Sequence, residues 1–203
     1  MRGLEQVPWL YDACMLVMDR LGLRRWRAWL TRGAAGPTLE VGCGTGRNLG
    51  LYPQGVTLVG CEPERATLAK AKALHPAALL VRASAEALPF RDGAFDTVVS
   101  SLVFCSVPRP AVGLAEVRRV LAPNGRLRML EHVRSTSRLG GWWQDLIQPL
   151  WTRASGGCHP NRHTEAAVEA AGFVIEAEGR RSRGTLRRFV ARSSEGDAHQ
   201  EAD

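Results

Sequence analysis

Three glycines and two acids are the residues of this chain best placed to do chemistry together. Glu40, Gly42, Gly44 and Gly46 alternate within Glu40-Val41-Gly42-Cys43-Gly44-Thr45-Gly46-Arg47-Asn48, and Glu62 stands 20 residues beyond Gly42. Glycine at such positions lets backbone pass close to a bound molecule, because a Cβ would collide with the ligand or with the required dihedrals. A dinucleotide turn, G-x-G-x-x-G, demands glycine at position 47, where this chain has Arg. A carboxylate two residues ahead of the first glycine repels a pyrophosphate and suits a ligand with an ammonium group. Glu62 lies where an acid beside such a turn accepts both ribose hydroxyls of an adenosine, a helix N-cap being the alternative role. Farther along, His132 and Asp145 are the candidate general bases, His132 with an equal claim to a structural role. Cys158, His159 and His163 invite a metal reading, but a zinc site needs further ligands at recognisable spacing and none stands nearby, so no metal is expected.

Strands and helices must alternate to position these groups. Pro37-Thr38-Leu39 reads as a strand leading into the glycine turn, and Leu49-Gly50-Leu51 can open a helix. Further strands are expected over Thr57–Glu62, Ala78–Ala83, Phe95–Ser101 and Gly125–Val133, with helices over Pro63–Leu74 and Ala111–Leu121. Pro123-Asn124-Gly125 is a stop and turn signal. Residues 134–162, rich in Trp, Gly, Ser and Pro, read as a substrate-side insertion. A helix near Thr164–Ala171, closed by Gly172, restores the alternation before a hairpin of Phe173–Glu178 and Thr185–Ala191. The expected fold is therefore α/β: a doubly wound, mostly parallel seven-stranded sheet with a C-terminal antiparallel hairpin and helices on both faces. Residues 1–192 form one domain on this reading, with 1–32 a helical lid and 193–203 a disordered polar tail.

The glycine turn resembles the first motif of S-adenosylmethionine-dependent methyltransferases with the Rossmann-like fold. Ser84-Ala85-Glu86-Ala87-Leu88-Pro89-Phe90 resembles their adenine-recognition segment, with Ser84 where many members have Asp. Phe95-Asp96 through Ser106-Val107 resembles the fourth motif, and Leu114 to Leu127 the helix-turn-strand after it. The resemblance implies S-adenosylmethionine as cofactor, held by Glu40, Gly42, Gly44, Gly46, Asn48, Glu62, Ser84, Ala85, Glu86, Ser101 and Leu102. Within that superfamily the chain is similar to the ubiquinone/menaquinone-biosynthesis type and to alkyl-thiol methyltransferase-like proteins. Leu130-Glu131-His132-Val133, the run Trp142 to Trp151, Gly156-Gly157-Cys158 and Asn161-Arg162 carry the second likeness. It implies methyl transfer to a small, lipophilic or thiol-bearing acceptor, with quinone or phospholipid-amine methylation as alternatives and RNA methylation a more distant one.

The bound sulfonium is itself a strong methyl donor, so the protein's main work is alignment in a dry pocket. Phe104, Trp142, Trp143 and Trp151 are the pocket candidates, although any of them could serve the core instead. Residues 4–30 read as one or two amphipathic helices over the cofactor mouth, with Tyr11 a lid contact. Relatives carry an N-terminal membrane anchor there; for this chain at most peripheral membrane contact is expected. The net charge of +7 comes almost wholly from arginine, Lys70 and Lys72 being the only lysines. No aromatic-basic interleaving accompanies it, so no nucleic-acid partner is expected. No apolar run approaches the ~20 residues that span a bilayer. The N-terminus lacks the form of a secretory signal, and the five scattered cysteines suit a reducing cytoplasm. The acceptor and the oligomeric state stay open.

Overall fold

The computed structural model describes residues 15–155 and 157–194. Among the described residues eight strands form one sheet: β1 (Pro37–Val41), β2 (Thr57–Cys61), β3 (Leu79–Val81), β4 (Phe95–Ser101), β5 (Leu121–His132), β6 (Phe173–Ile175), β7 (Arg181–Arg183) and β8 (Leu186–Ser193). Their order is β3-β2-β1-β4-β5-β8-β6, with β7 also paired to β8. The pairs β3/β2, β2/β1, β1/β4 and β4/β5 are parallel, while β8 is antiparallel to β5, β6 and β7. β6 pairs with the end of β8 and β7 with its beginning, so both lie on the same edge. The seven expected sheet positions are thus present, the last filled by two short pieces.

The α-helices α1 (Arg24–Arg32), α2 (Arg65–Leu74), α3 (Pro110–Val120), α4 (Arg138–Ser155) and α5 (Thr164–Ala170) pack around the sheet. Side chains alternate across a strand, so neighbouring residues of β4 serve opposite faces. Val98 belongs to the larger core with Leu114, Val117 and Val120 of α3 and Val168 of α5. Val99 instead joins Leu23, Leu30 of α1 and Leu130 beneath the other face. Pro110 opens α3 where its missing N–H costs nothing, and Glu64 caps α2 by accepting from the Ala66 amide at 3.4 Å. The N-cap role considered for Glu62 therefore falls to its neighbour but one, Glu64.

Two of the expected segments take definite form. Residues 138–155, within the segment read as a substrate-side insertion, form the longest helix among the described residues, with Pro149 inside it. Gly140, Gly141 and Pro149 disfavour helix locally, but Gln144 donates to the Val133 and Pro160 carbonyls and Thr152 to the Cys158 carbonyl, and these bonds tie the helix to the protein. The N-terminal helix also sits differently: α1 packs on the sheet face through Leu30, and among the described residues none from 15–32 lines the cavity at the sheet's edge. Tyr11, the expected lid contact, and the polar tail from 195 onward lie outside the described residues.

Candidate active site

The strand order reverses between β1 and β4, and ligands of open α/β sheets bind beyond the carboxyl ends of strands at such a switch point. A cavity of about 350 Å³ lies there. Each parallel strand from β1 to β4 contributes residues from beyond its carboxyl end: Gly42 and Gly44 after β1, Glu62 and Pro63 after β2, Ser84 and Ala85 past β3, and Leu102 and Val103 after Ser101 of β4.

The glycine turn is shaped by dihedrals that only glycine holds without strain. Gly42, Gly44 and Gly46 have φ of +65°, +57° and +86°. A Cβ on Gly42 would come within 2.5 Å of the Val103 side chain, and one on Gly46 within 2.9 Å of His75. A Cβ on Gly44 would meet nothing within 4 Å, since it would point into open space at the cavity wall. Gly42 and Gly46 are thus needed for packing, and Gly44 for room.

Glu62 closes the other side. Its Oε2 accepts from the Gly44 amide at 3.2 Å and its Oε1 from the Glu64 amide at 3.0 Å, which fixes the carboxylate against the turn. Burial pushes its pKa up against the opposing effect of those two amides. Each carboxylate oxygen keeps a further lone pair to accept a ligand hydroxyl. Across the cavity, Ser84 Oγ accepts from the Glu86 amide at 3.2 Å, bracing the turn that presents Ala85. Leu102 is the one residue other than glycine with positive φ (60°) among the described residues, and its amide donates to the Leu130 carbonyl at 2.7 Å. Such strain is held only where the surroundings over-determine it, and it turns the chain end of β4 into the cavity wall. An open cradle at Gly44, a carboxylate with spare acceptors opposite it and an apolar wall beyond fit a nucleoside carrying a charged side arm.

Several residues assigned to the cofactor act beneath the cavity instead. Glu40 is 1% exposed; its Oε1 accepts from Asn48 Nδ2 at 2.7 Å, while Asn48 Oδ1 accepts from Arg27 at 3.0 Å. Arg27, itself buried, also reaches Ser101 Oγ at 3.3 Å and pairs with Asp19 at 3.3 Å. Burial raises the Glu40 pKa to about 7, with Asn48, Tyr52 and Arg27 opposing. Glu40 and Asn48 therefore brace the turn from below, and neither borders the cavity. Glu86 is turned away too, clamping Arg109 through its backbone amide at 2.6 Å and its guanidinium at 2.8 Å.

Glu131 is the residue that sequence reasoning missed. Fully buried, it accepts at its Oε1 from Ser100 Oγ at 3.0 Å and from the amides of Val103 at 3.0 Å and Phe104 at 3.1 Å. It thereby fixes the β4–α3 loop that forms one cavity wall. The signal was available: an acid flanked by apolar residues in a core strand needs partners, and loop amides supply them.

The expected bases and pocket aromatics are not brought to the cavity. Asp145 is exposed on α4, gripped by both Arg134 guanidinium nitrogens and by Asn161 at 2.9 Å. Those partners hold its pKa down at about 2, so it is a poor proton acceptor at neutral pH. His132 stands at the end of β5, and the Cys158 thiol is held below its usual range mainly by the Cys105 thiol and to a lesser degree by His132. Phe104 is 1% exposed in the core, and Trp142 and Trp143 point outward from α4 at 56% and 53% exposure. His163 precedes α5 at the N-cap, and among the described residues no cluster of three or more potential ligands could hold a metal.

Residues 39–129 match a protein family described as "Methyltransferase domain". The sheet order and the glycine turn agree with that match, and the chain is similar to S-adenosylmethionine-dependent methyltransferases of Rossmann-like fold. Over 153 residues it is 36% identical to human "Thiol S-methyltransferase TMT1B", covering 70% of this chain and 62% of that protein. It is 35% identical over 121 residues to the demethylmenaquinone methyltransferase of Beutenbergia cavernae, covering 59% of this chain and 50% of that one. The chain thus spans about three fifths of the human relative it matches. A methyltransferase solved in complex with the Trm112 activator of Haloferax volcanii shares the fold, with a TM-score of 0.70, 17% identity, and coverage of 95% of this chain and 99% of that one.

Proposed function

We propose that the protein transfers the methyl group of S-adenosylmethionine to a small lipophilic acceptor, and that the acceptor atom is a thiol sulfur. The cofactor supplies an activated methyl on a sulfonium, and the chain's residues bind, orient and exclude water. Glu62 would accept the ribose hydroxyls, Ser84 and Ala85 border the adenine, and the strained turn at Leu102 sets the far wall. One observation carries the choice of acceptor. The wall built by Leu102, Val103, Val107 and Pro108 is apolar, and the only titratable groups lining the cavity among the described residues are Glu62 and Glu64, after β2. A thiol with a pKa of about 8.5 is partly ionised at neutral pH and needs no base from the protein. Alignment of sulfur, methyl carbon and leaving sulfur at roughly 3 Å then suffices.

The likeness to a thiol S-methyltransferase supports this reading. A quinol ring is the second reading, favoured by the demethylmenaquinone relative and the same apolar wall. A reducing cytoplasm belongs to the proposal, since Cys43, Cys61, Cys105 and Cys158 are free thiols. The test is transfer of labelled methyl to matched alkyl thiol, quinol and phosphatidylethanolamine acceptors. Thiol methylation that rises with pH along the acceptor's own thiolate fraction is the expected result. Turnover of the quinol or the amine with no thioether formed would overturn the choice.

A further inference from the structure

Helix α4 is built inside out. Its protein-facing stripe is Gly141, Gln144, Gln148 and Thr152, small or polar residues one helical turn apart. These hold the helix by hydrogen bonds: Gln144 donates to the Pro160 carbonyl at 2.9 Å and accepts from the Ser135 amide at 2.6 Å. Thr152 donates to the Cys158 carbonyl at 3.0 Å. The opposite stripe is apolar and faces solvent. Leu139, Trp142, Trp143, Leu146, Ile147, Leu150 and Trp151 recur at i, i+3, i+4, i+7, i+8, i+11 and i+12, and Leu139 and Leu150 are 69% and 74% exposed. A surface helix normally buries its apolar stripe against the core, so a face of this size marks a docking surface.

We propose that α4 lies in the interfacial layer of an anionic lipid membrane, with its Trp/Leu/Ile face among the acyl chains. Three features select lipid. The stripe is rich in tryptophan, whose ring has an apolar body and a polar N–H suited to the headgroup boundary. Exposed arginines stand at both ends of the helix, Arg138 and Arg153, while its single acid, Asp145, is neutralised by Arg134. The chain carries a net charge of +7, which attracts anionic headgroups and opposes face-to-face pairing with a second copy. Exposed Leu16, Val17 and Leu21, with exposed Arg20, Arg24 and Arg25 beside them, repeat the pattern at the carboxyl end of the sheet, where Asp19 pairs with Arg47 of the glycine turn. α4 starts from the same end, six residues after β5 closes. Among the described residues no helix is long and apolar enough to cross a membrane, so the contact is with one surface. The cavity mouth would then open near the lipid, where a lipophilic acceptor concentrates.

The test is flotation of the full chain with phosphatidylcholine vesicles, with and without a minor fraction of phosphatidylglycerol. The wild type should float with anionic vesicles, less well with neutral ones, and lose part of the difference in high salt. Leu146→Glu/Leu150→Glu should reduce partitioning by about a hundredfold, since two buried leucines are replaced by charges. S-adenosylhomocysteine binding by the same preparation reports whether the variant is folded. A wild type left in the soluble fraction with both vesicle types overturns the proposal. So does a double variant that floats as well as wild type, or a wild-type dimer abolished by the double variant without any vesicle binding. Equal flotation on neutral vesicles overturns the anionic preference.

Discussion

Replacing Glu62 by alanine removes the two acceptor oxygens that face Gly44 and the cavity, and the cost can be worked from their partners. In the free protein, Oε2 and Oε1 accept from the amides of Gly44 and Glu64. Those amides lie at the cavity edge, where water replaces the carboxylate, so folding loses little. With cofactor bound, two hydroxyl-to-carboxylate hydrogen bonds disappear, each contributing about 1.5–3 kcal/mol in a partly buried setting. Allowing for water that re-solvates the hydroxyls, we expect a loss near 3 kcal/mol, or about a hundredfold in Kd. Calorimetry with S-adenosylhomocysteine on wild type and Glu62→Ala reads this directly, and Glu62→Gln should fall between the two. Acidification gives a second handle. Because burial raises the Glu62 pKa, cofactor affinity should weaken on lowering pH before an ordinary carboxylate would protonate, and Glu62→Ala should lose that dependence. A Kd for Glu62→Ala within threefold of wild type (~0.6 kcal/mol) would refute the assignment.

Glu131→Ala should destabilise the fold by about 3 kcal/mol in denaturant melts, because the partly buried Val103 amide, the buried Phe104 amide and the buried Ser100 hydroxyl lose their shared partner. Stability should also fall with rising pH through Glu40. Its carboxyl titrates at about 7 when folded against 4.5 ordinarily, so between those values the folded chain keeps a proton that the unfolded chain releases. That window is worth up to about 3 kcal/mol, and Glu40→Gln should flatten the curve measured from pH 4.5 to 7. Asp145→Asn should retain full turnover and leave the denaturant midpoint almost unchanged, since its pair with Arg134 is solvent-screened. A large loss of kcat in that variant would restore Asp145 as a base.

The fold was largely legible because its signals are local. Glycines at positive φ, short apolar strands and Pro110 at a helix start mark their own elements, and β1, β2 and β4 fall where composition puts them. The cavity lining was legible for the same reason, since Gly42, Gly44, Glu62 and Ser84 each stand within a few residues of a strand end. Contacts between distant residues resisted reading. Glu40 and Asn48 turn inward because Arg27, 21 residues from Asn48, meets them from below. Asp145 is taken by Arg134 and Asn161, partners that no spacing rule announces. Trp142 and Trp143 read as pocket residues because methyl transfer favours a dry apolar pocket, whereas a helix whose polar stripe faces the protein points them outward.

The most direct measurement is a crystal structure with S-adenosylhomocysteine bound. We predict ribose hydroxyls on the Glu62 carboxylate, the adenine beside Ser84 and Ala85, and the sulfur directed toward Leu102 and Val103. A ligand seated elsewhere, or full affinity with Glu62 making no contact, would contradict this assignment.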